Sequence, residues 1–356
     1  MLRAGSSRDL QARQRSILEA ERQIVLSGAW QPIAYTWDLA LHGQYTSTEV
    51  VGEPVIVVRC TNGRLAAMSN VCRHRGHPVA TGSGRGRILT CGYHGWTYTL
   101  DGVVQSAPGF EWEEVPECAR KLPSFPVASA GPFIFSRIRT DGAWAPDVPA
   151  ILHEMLRDEG YGKLSLVARR EWRVAANWKL MVENFVECLH CPIVHAATLA
   201  RAVDLKRYRV EERSGYSVHY ISSLAPGSMA RSESGPRRRH DTVERQTIVF
   251  FPNFAVSFLP GYIVTFVVTP SDSETCHVLR DVLAAESYAT EETELAAADV
   301  VTYYESLMAE DIRVVEAAQR GVASRFYLPG PLSVVGERGV AHFRRQLQEA
   351  LSIAEG

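Results

Sequence analysis

Two short segments containing cysteine and histidine constrain this 356-residue chain more than any other feature. The first is Cys72-Arg73-His74, and the second is Cys91-Gly92-Tyr93-His94. Gly76 follows the first segment and Gly95 follows the second, so both are expected to be loops in which the backbone approaches its neighbours closely. Each loop offers one thiolate and one imidazole. The pair is therefore expected to hold an inorganic cofactor between two loop tips.

The mixed ligand pairs fit a Rieske [2Fe–2S] cluster, in which two cysteines hold one iron and two histidines hold the other. The predicted ligands are Cys72, His74, Cys91 and His94. His77 is an alternative to His74, and residues 81–87 predict a flexible turn between the loops. A structural zinc site also uses two cysteines and two histidines, but its motifs usually begin with Cys-x₂₋₄-Cys and end with His-x₃₋₅-His. The spacing here favours the iron–sulfur cluster.

A second group of polar residues follows about a hundred residues later. Residues 177–190 have helical periodicity, with an apolar stripe and, on another face, a polar stripe of Glu183, Glu187 and His190. Pro192 interrupts the helix, because proline cannot continue the hydrogen-bond ladder. The interruption can turn His195 so that its ring converges with His190 on one metal ion.

A facial triad of a non-haem Fe(II) oxygenase needs one carboxylate beside two histidines. Asp311 is the candidate, because residues 290–321 predict a long helix with Asp311 on the stripe that packs inward. A buried carboxylate needs a partner, and a metal ion is one such partner. A buried salt bridge from Asp311 to Arg313 or Arg320 explains the same pattern equally well.

The chain as a whole resembles the oxygenase α subunits of the Rieske non-haem iron oxygenases. The resemblance rests on the cluster motif, on the box Glu183-Asn184 … Glu187 … His190-x₄-His195, and on Glu310-Asp311. It implies an α+β fold, with a β-rich Rieske domain and a helix-grip-like catalytic domain of antiparallel sheet and helices. It also implies a [2Fe–2S] cluster and a mononuclear Fe(II) held by His190, His195 and Asp311. Asn184 is implied as an additional catalytic residue.

The family resemblance further implies electron transfer between subunits of a homotrimer. The bridging acid would be Glu187, and the electrons would come from a reductase, with or without a ferredoxin. The stretch Glu187-Cys188-Leu189-His190-Cys191-Pro192 resembles the branch that oxidises quaternary ammonium or betaine-like substrates, with O₂ as the second substrate. Aromatic residues at 250–266 would suit such a cation, although residues of this kind are more often sheet core. The alternative substrate is an aromatic ring compound, which would undergo dioxygenation, or a substrate for O-demethylation.

The composition fits a cytoplasmic enzyme. The net charge of −2 gives no indication of nucleic acid or an anionic membrane as a partner, and no apolar stretch approaches membrane-spanning length. Seven cysteines with no signal peptide make disulfides unexpected. Cys60, Cys118 and Cys276 are expected to be buried apolar side chains.

The expected domains are residues 1–45 (an N-terminal helix from about Asp9 to Gly28 and a lead-in strand), 46–148 (the Rieske domain) and 149–356 (the catalytic domain). The dipeptides Asn62-Gly63 and Asp101-Gly102 predict hairpins. The basic segment 227–241 predicts a mobile surface loop, with a lid or a docking patch for an acidic electron donor as alternatives. Two other classes of protein are alternatives to the oxygenase: a Rieske electron carrier and a zinc-stabilised binding protein. Some two hundred residues beyond a Rieske domain, carrying a His/His/Asp set, argue against the carrier.

Overall fold

The computed structural model describes residues 7–140, 145–158, 161–223, 244–286 and 291–353. The basic segment 227–241 lies outside the described residues. By contact density the chain divides into one unit of Ser27–Glu159 and another that combines the N-terminal residues up to Leu26 with everything from Gly160 onward. The predicted boundaries after residues 45 and 148 stay a prediction. The lead-in strand belongs to the first of these units because it pairs there with a later strand.

The helices are α1 (Ser7–Ala20), α2 (Val148–Asp158), α3 (Trp178–Phe185), α4 (Cys191–Val194), α5 (Leu199–Ala202), α6 (Glu291–Val322) and α7 (Arg338–Ile353). A π-helical turn, Glu21–Leu26, follows α1 directly. The strands of the Ser27–Glu159 unit are β1 (Gln31–Tyr35), β2 (Gln44–Val50), β3 (Glu53–Arg59), β4 (Leu65–Ser69), β5 (Ser83–Arg85), β6 (Ile88–Thr90), β7 (Thr97–Thr99), β8 (Val104–Ser106), β9 (Ser124–Phe125), β10 (Val127–Ala130) and β11 (Phe133–Ser136). The strands of the other unit are β12 (Leu164–Val174), β13 (Val203–Arg213), β14 (Tyr216–Ser223), β15 (Glu244–Phe250), β16 (Phe254–Leu259), β17 (Tyr262–Pro270) and β18 (Cys276–Ala285).

The Ser27–Glu159 unit is built from three small antiparallel sheets, with strand orders β1-β11-β10, β5-β2-β3-β4-β9 and β6-β7-β8. Both predicted hairpins are confirmed, because Asn62-Gly63 joins β3 to β4 and Asp101-Gly102 joins β7 to β8. Gly63 and Gly102 have φ values of 81° and 87°, a region that favours glycine. The expected flexible turn at 81–87 is wrong in part, since Ser83–Arg85 forms a strand that pairs with β2.

The other unit is a seven-stranded antiparallel sheet with the order β12-β18-β17-β16-β15-β14-β13. The aromatic-rich stretch at 250–266 runs from the end of β15 through β16 into β17, so it belongs to the sheet. The registers His219↔Thr247 and Thr247↔Ser257 place these side chains on one face, because residues directly opposite in a sheet point the same way. Phe266↔Ala255 and Phe266↔Arg280 continue that face to β18. Two helices, α3 and α6, contact the sheet and each other.

The helices match the sequence pattern only in part. The long helix expected at 290–321 is confirmed as α6, and the N-terminal helix as α1 with its π-helical turn. The helix expected through residue 190 ends at Phe185 instead, and α7 was not predicted. Among the described residues no helix is both long and apolar enough to cross a membrane. The expected α+β fold class, with a β-rich domain and an antiparallel sheet with helices, is confirmed.

Candidate metal centres

The two cysteine–histidine loops have the same backbone geometry. In each loop the cysteine carbonyl accepts a hydrogen bond from a glycine four residues later, at 3.0 Å from Gly76 to Cys72 and at 3.1 Å from Gly95 to Cys91. Both glycines have a φ of 73°, where a side chain would be strained. The matched loops bring the two thiols within hydrogen-bonding reach of each other.

The donor atoms at the loop tips fit a [2Fe–2S] cluster. Cys72 and Cys91 are 4% and 2% exposed, and burial raises the pKa of the Cys91 thiol. The imidazoles of His74 and His94 lie on the outer side, with ring centroids 4.6 Å apart. His74 Nδ1 is buried without a hydrogen-bond partner among the described residues. An unpaired buried nitrogen is costly, and a metal ion is the natural partner for it beside two thiols.

Neighbouring residues favour His74 over His77 as the fourth donor. His77 Nδ1 lies 2.8 Å from the Pro78 carbonyl oxygen, so that nitrogen already has a partner, and its ring is exposed. His74, by contrast, stacks on Trp96, with a centroid distance of 5.3 Å and an interplanar angle of 6°. The Tyr98 hydroxyl accepts the Arg73 N–H at 3.0 Å and lies 3.2 Å from Cys72 Sγ. These contacts hold the first loop in place.

The second centre brings together two histidines and one aspartate. His190 Nε2 and His195 Nε2 are 3.3 Å apart. Asp311 Oδ1 lies 3.1 Å from His195 Nε2 and 3.5 Å from His190 Nε2. Ligand atoms about 2.1 Å from an ion and at right angles to each other lie about 3 Å apart. The three atoms thus have the spacing of a 2-His-1-carboxylate facial triad.

The local backbone explains how both histidines face one point. The Asn177 side chain accepts the Lys179 N–H and so caps the start of α3, which ends at Phe185. Pro192 does not break an existing helix; it lies in the first turn of α4, where proline is tolerated. His190 precedes α4 and His195 follows it. One short helical turn therefore separates the rings, and they meet across it with centroids 5.1 Å apart.

A carboxylate lies behind each histidine. Glu187 Oε1 is 2.5 Å from His190 Nδ1, and Glu187 Oε2 accepts the Leu189 N–H. Glu310 Oε2 is 2.7 Å from His195 Nδ1 and accepts the Thr198 hydroxyl at 2.7 Å. Such carboxylates fix the tautomer with the proton on Nδ1 and raise the basicity of the other nitrogen.

Because of these two carboxylates, the Nε2 lone pairs of His190 and His195 and the oxygen lone pairs of Asp311 face one another. With both Nδ1 atoms hydrogen-bonded to carboxylates, both Nε2 lone pairs point towards Asp311 Oδ1, which makes no hydrogen bond to a described residue. Burial lowers the pKa of His195, but the nearby carboxylate of Asp311, and then that of Glu310, raise it above its ordinary value. A cation would satisfy these facing lone pairs, and the donor set fits Fe(II).

The alternative salt bridge of Asp311 finds no support among the described residues. Arg313 and Arg320 do not pair with it, since the ion pairs of Asp311 are those with His190 and His195. Asp311 is half-buried on α6, one residue after Glu310. The structure therefore places two consecutive acids of α6 at the same histidine pair.

Two cysteines beside His190 contradict the expectation that the chain has no disulfide. Cys188 and Cys191 are joined by a disulfide bond, because the chain turns at the start of α4 and brings their side chains together. Cys191 Sγ lies 3.8 Å from His190 Nε2, but a sulfur in a disulfide is not a thiolate ligand. Cys60 and Cys276 are buried as expected, whereas Cys118 is exposed, contrary to expectation.

The His–His–Asp site opens on a cavity between α3, α6 and the covered face of the sheet. Its walls are mixed. The aromatic and apolar lining includes Phe185, Leu199, Tyr208, Ile221, Phe258, Leu259, Phe266, Tyr303, Tyr304 and Leu307, and the polar lining includes Asn184, His219, Arg245, Thr247, Ser257 and Arg280. Phe258 and Phe266, expected from the sequence as core or pocket wall, are buried and also line this cavity.

Several residues of the cavity were not predicted from the sequence. His219 contacts the Tyr208 hydroxyl at 2.7 Å and the Ser217 hydroxyl at 2.9 Å. Burial lowers the pKa of His219 to about 3, so the ring is neutral. Asn184, which was predicted, lines the cavity with its Oδ1 buried and without a partner among the described residues. Glu183 instead pairs with Arg344 of α7 at 2.7 and 2.8 Å.

The fold and the two donor sets define a Rieske non-haem iron oxygenase: a β-rich unit with a mixed cysteine and histidine site, and an antiparallel sheet covered by helices that carry a 2-His-1-carboxylate site. Comparison with known families agrees. The model described as "Ring hydroxylating alpha subunit (catalytic domain)" matches residues 161–353, and the "Rieske [2Fe-2S] domain" model matches residues 29–126. The chain belongs to the ring-hydroxylating α subunit family. It is the terminal oxygenase subunit, an oxidoreductase whose cofactors are a Rieske [2Fe–2S] cluster and a mononuclear iron.

Relatives match the chain over most of its length. The carnitine monooxygenase oxygenase subunit of Acinetobacter baumannii is 28% identical, over 92% of this chain and 90% of that protein. The glycine betaine monooxygenase oxygenase subunit of Chromohalobacter salexigens is 26% identical, over 92% of this chain and 81% of that protein. The crystal structure of the quaternary ammonium Rieske monooxygenase CntA with L-carnitine is 25% identical and has a TM-score of 0.76, covering 96% of this chain and 94% of that one. The alternatives of a zinc-stabilised protein and a stand-alone electron carrier are thereby excluded.

Proposed function

We propose that this chain is the oxygenase component of a monooxygenase system for small quaternary ammonium compounds. The observation that carries the proposal is the convergence of two imidazoles and a carboxylate at the wall of a cavity rich in aromatic side chains. Aromatic faces attract a quaternary ammonium ion through their negative quadrupole. Relatives named for carnitine and glycine betaine support the same substrate class.

The geometry supports one set of proposed ligands. Cys72, His74, Cys91 and His94 hold the cluster, and His190, His195 and Asp311 hold the iron. When bound, the iron supplies the oxidation of a substrate C–H bond with O₂, and the cluster supplies electrons for it. The protein itself orients the ligands, binds the substrate and keeps bulk water out of the cavity.

Glu187 and Glu310 hold the ligand histidines in one tautomer, as their contacts of 2.5 and 2.7 Å to the Nδ1 atoms indicate. Glu187 has a second role in the proposal. Its carboxylate is 12% exposed, and it connects His190 to a cluster histidine of a neighbouring subunit for electron transfer. Asn184 presents its unpaired amide oxygen to the cavity next to these groups.

The proposed partners are a separate reductase, with or without a ferredoxin, and further copies of this chain in a homotrimer. A quaternary ammonium Rieske monooxygenase of similar fold, with a TM-score of 0.76 to this chain, is described as transferring electrons between its subunits. Supply of electrons from outside is required, because one [2Fe–2S] cluster stores a single electron.

The test is substrate-dependent oxygen uptake by protein loaded with cluster and iron and supplied with electrons by a surrogate reductase. The panel is L-carnitine, γ-butyrobetaine, glycine betaine, choline and naphthalene, with products identified by mass spectrometry. We expect uptake and a hydroxylated or dealkylated product from at least one quaternary compound and none from naphthalene. Turnover of naphthalene alone would overturn the proposal. The Glu187→Gln variant should lose uptake while it keeps the visible spectrum of the cluster, and Glu187→Asp should retain part of it.

A further inference from the structure

A buried arginine in the cavity wall, Arg280, forms no hydrogen bond or ion pair with a carboxylate of the described residues, and the charges of Asp311 and Glu305 act on it only from further away. Arg280 lies on β18 and is 3% exposed. Its Nη1 donates to the Tyr304 carbonyl, whereas its Nε is buried without a hydrogen-bond partner in the described part of the chain. The side chain instead lies between aromatic rings, with Cζ 4.2 Å from the Phe266 centroid and 5.1 Å from that of Trp172.

Such a guanidinium is costly unless a ligand pairs with it. A buried cation loses its hydration and needs both charge and hydrogen bonds in return. Cation–π contacts offset a part of this cost and Nη1 has the Tyr304 carbonyl as its acceptor, but the Nε donor has no partner among the described residues. Burial lowers the pKa of Arg280 to about 10, so the group is still charged at neutral pH. The aromatic rings thus hold a charged, partly unpaired donor in place inside the substrate cavity.

Charged side chains of both signs line the cavity around Arg280. Its lining contains the cations Arg245 and Arg280 and the carboxylates Glu187 and Asp311. Both carboxylates are engaged with the two ligand histidines. Bound Fe(II) would add two positive charges, which Glu187, Asp311 and the Glu310 carboxylate behind His195 offset. A substrate with a carboxylate would supply the anionic partner that the buried Arg280 Nε lacks among the described residues, whereas a substrate that is only a cation would not.

We propose that Arg280 binds the carboxylate of the substrate and thereby selects carboxylate-bearing compounds over simple quaternary cations such as choline. The inference rests on the proposed function and narrows it to zwitterions of the betaine type. Arg280 is a binding residue in this proposal. Its guanidinium fixes one end of the substrate, so that a carbon several bonds away is held at the His190, His195 and Asp311 site in the same cavity.

The first experiment needs no variant. Binding to the loaded, anaerobic enzyme is measured by calorimetry with three compounds of matched shape: γ-butyrobetaine, its methyl ester, and 5,5-dimethylhexanoate. These carry both charges, the cation only and the carboxylate only. A hydrogen-bonded charge pair of about 1.5–3 kcal/mol corresponds to a loss of roughly 10- to 150-fold in affinity when it is missing. We expect γ-butyrobetaine to bind at least about 10-fold more tightly than its ester.

The second experiment assigns that preference to Arg280. Arg280→Met keeps the length and apolar contacts of the side chain and should bring γ-butyrobetaine to the affinity of its ester, while the ester's own affinity changes less than about threefold. Arg280→Lys, which keeps the charge, should retain part of the preference. Arg345→Met is the control, because Arg345 pairs with Glu212 and neither residue lines the cavity. This control should leave the preference unchanged.

The outcomes separate the two proposals. Equal affinity of the acid and the ester for wild-type enzyme overturns the role of Arg280, whether or not the variants fold. Equal loss for acid and ester in Arg280→Met also overturns it, because that result indicates a purely structural arginine. Binding of 5,5-dimethylhexanoate through Arg280 with no binding of any quaternary compound would keep the carboxylate site and refute the quaternary ammonium substrate.

Discussion

Glu310 offers a sharp test of how the proposed iron site is held, because it contacts His195 at Nδ1 and does not line the cavity. Its Oε2 lies 2.7 Å from His195 Nδ1 and accepts the Thr198 hydroxyl at 2.7 Å. Replacing Glu310 with Gln keeps the size of the side chain but removes its charge. The His195 ring then loses the partner that fixes its tautomer and raises the basicity of Nε2. We expect weaker metal binding with the fold unchanged.

The size of the effect can be worked out from these contacts. Removing the acid behind a metal-bound histidine typically costs roughly 10- to 100-fold in metal affinity, which is about 1.4–2.7 kcal/mol. That range agrees with the roughly 1.5–3 kcal/mol of one hydrogen bond to a charged group. Thr198→Val removes a hydrogen bond to the same oxygen but leaves the carboxylate beside His195, so we expect a loss below about threefold.

The assay is a competition for Co(II) between a chelator and protein whose mononuclear site has been emptied, with the cluster intact by its visible spectrum. Glu305→Gln is the control, because Glu305 is on the same helix, α6, and pairs with Arg170. The expected order of affinity is wild type and Glu305→Gln, then Thr198→Val, then Glu310→Gln. An unchanged affinity in Glu310→Gln, or a larger loss in Thr198→Val, would refute the reasoning.

Three further predictions concern stability and thiol state. Glu21 is 1% exposed and accepts hydrogen bonds from Trp178 at 2.8 Å and Lys179 at 2.7 Å. Glu21→Ala should therefore lower the free energy of unfolding by about 3 kcal/mol and the melting temperature by about 6–12 °C, and Glu21→Gln should lower both by less. Equal melting temperatures for the wild type and the two variants would contradict this. A Cβ on Gly339 would lie 2.0 Å from the Val186 carbonyl oxygen, whereas a Cβ on Gly321 would meet nothing within 4 Å, so calorimetry should show Gly339→Ala destabilised and Gly321→Ala unchanged or slightly more stable. Alkylation of the denatured, cluster-free chain should label five cysteines before reduction and seven after it, because Cys188 and Cys191 form the disulfide; labelling of every cysteine without reductant would show that the bond is absent.

The parts of the molecule that could be predicted from the sequence are those set by local geometry. The cluster loops are recognisable because ligand, glycine and turn lie within a few residues of one another, and the two hairpins because Asn-Gly and Asp-Gly suit their turns. The long helix α6 follows from its apolar period and its length. Helix α7, at Arg338–Ile353, was missed although its apolar residues also repeat along one face, because Glu337 before it is not one of the usual N-cap residues.

Contacts between residues far apart in the chain could not be predicted in this way. Glu310 lies 115 positions from His195, and nothing in the local pattern of α6 distinguishes it from the other acids of that helix. The pairing arises because α6 contacts both α3 and α4, and that packing is a property of the whole unit. The disulfide has a different cause: the chain turns between Cys188 and Cys191, ahead of Pro192, in a stretch where the sequence pattern predicted a continuing helix.

Arg280 shows where a long-range feature does leave a local signal. The strand Cys276–Ala285 is apolar except at a few positions, and two of these, Arg280 and Asp281, are adjacent and buried. Adjacent residues of a strand point to opposite faces, so the two charges cannot neutralise each other. Asp281 is paired across the sheet by Arg169 at 2.7 and 2.8 Å, and Arg280 faces the cavity. Two adjacent charged residues inside an apolar strand therefore indicate that each needs a partner from another element. Asp281 has such a partner in Arg169, whereas Arg280 faces the cavity beside the proposed iron site.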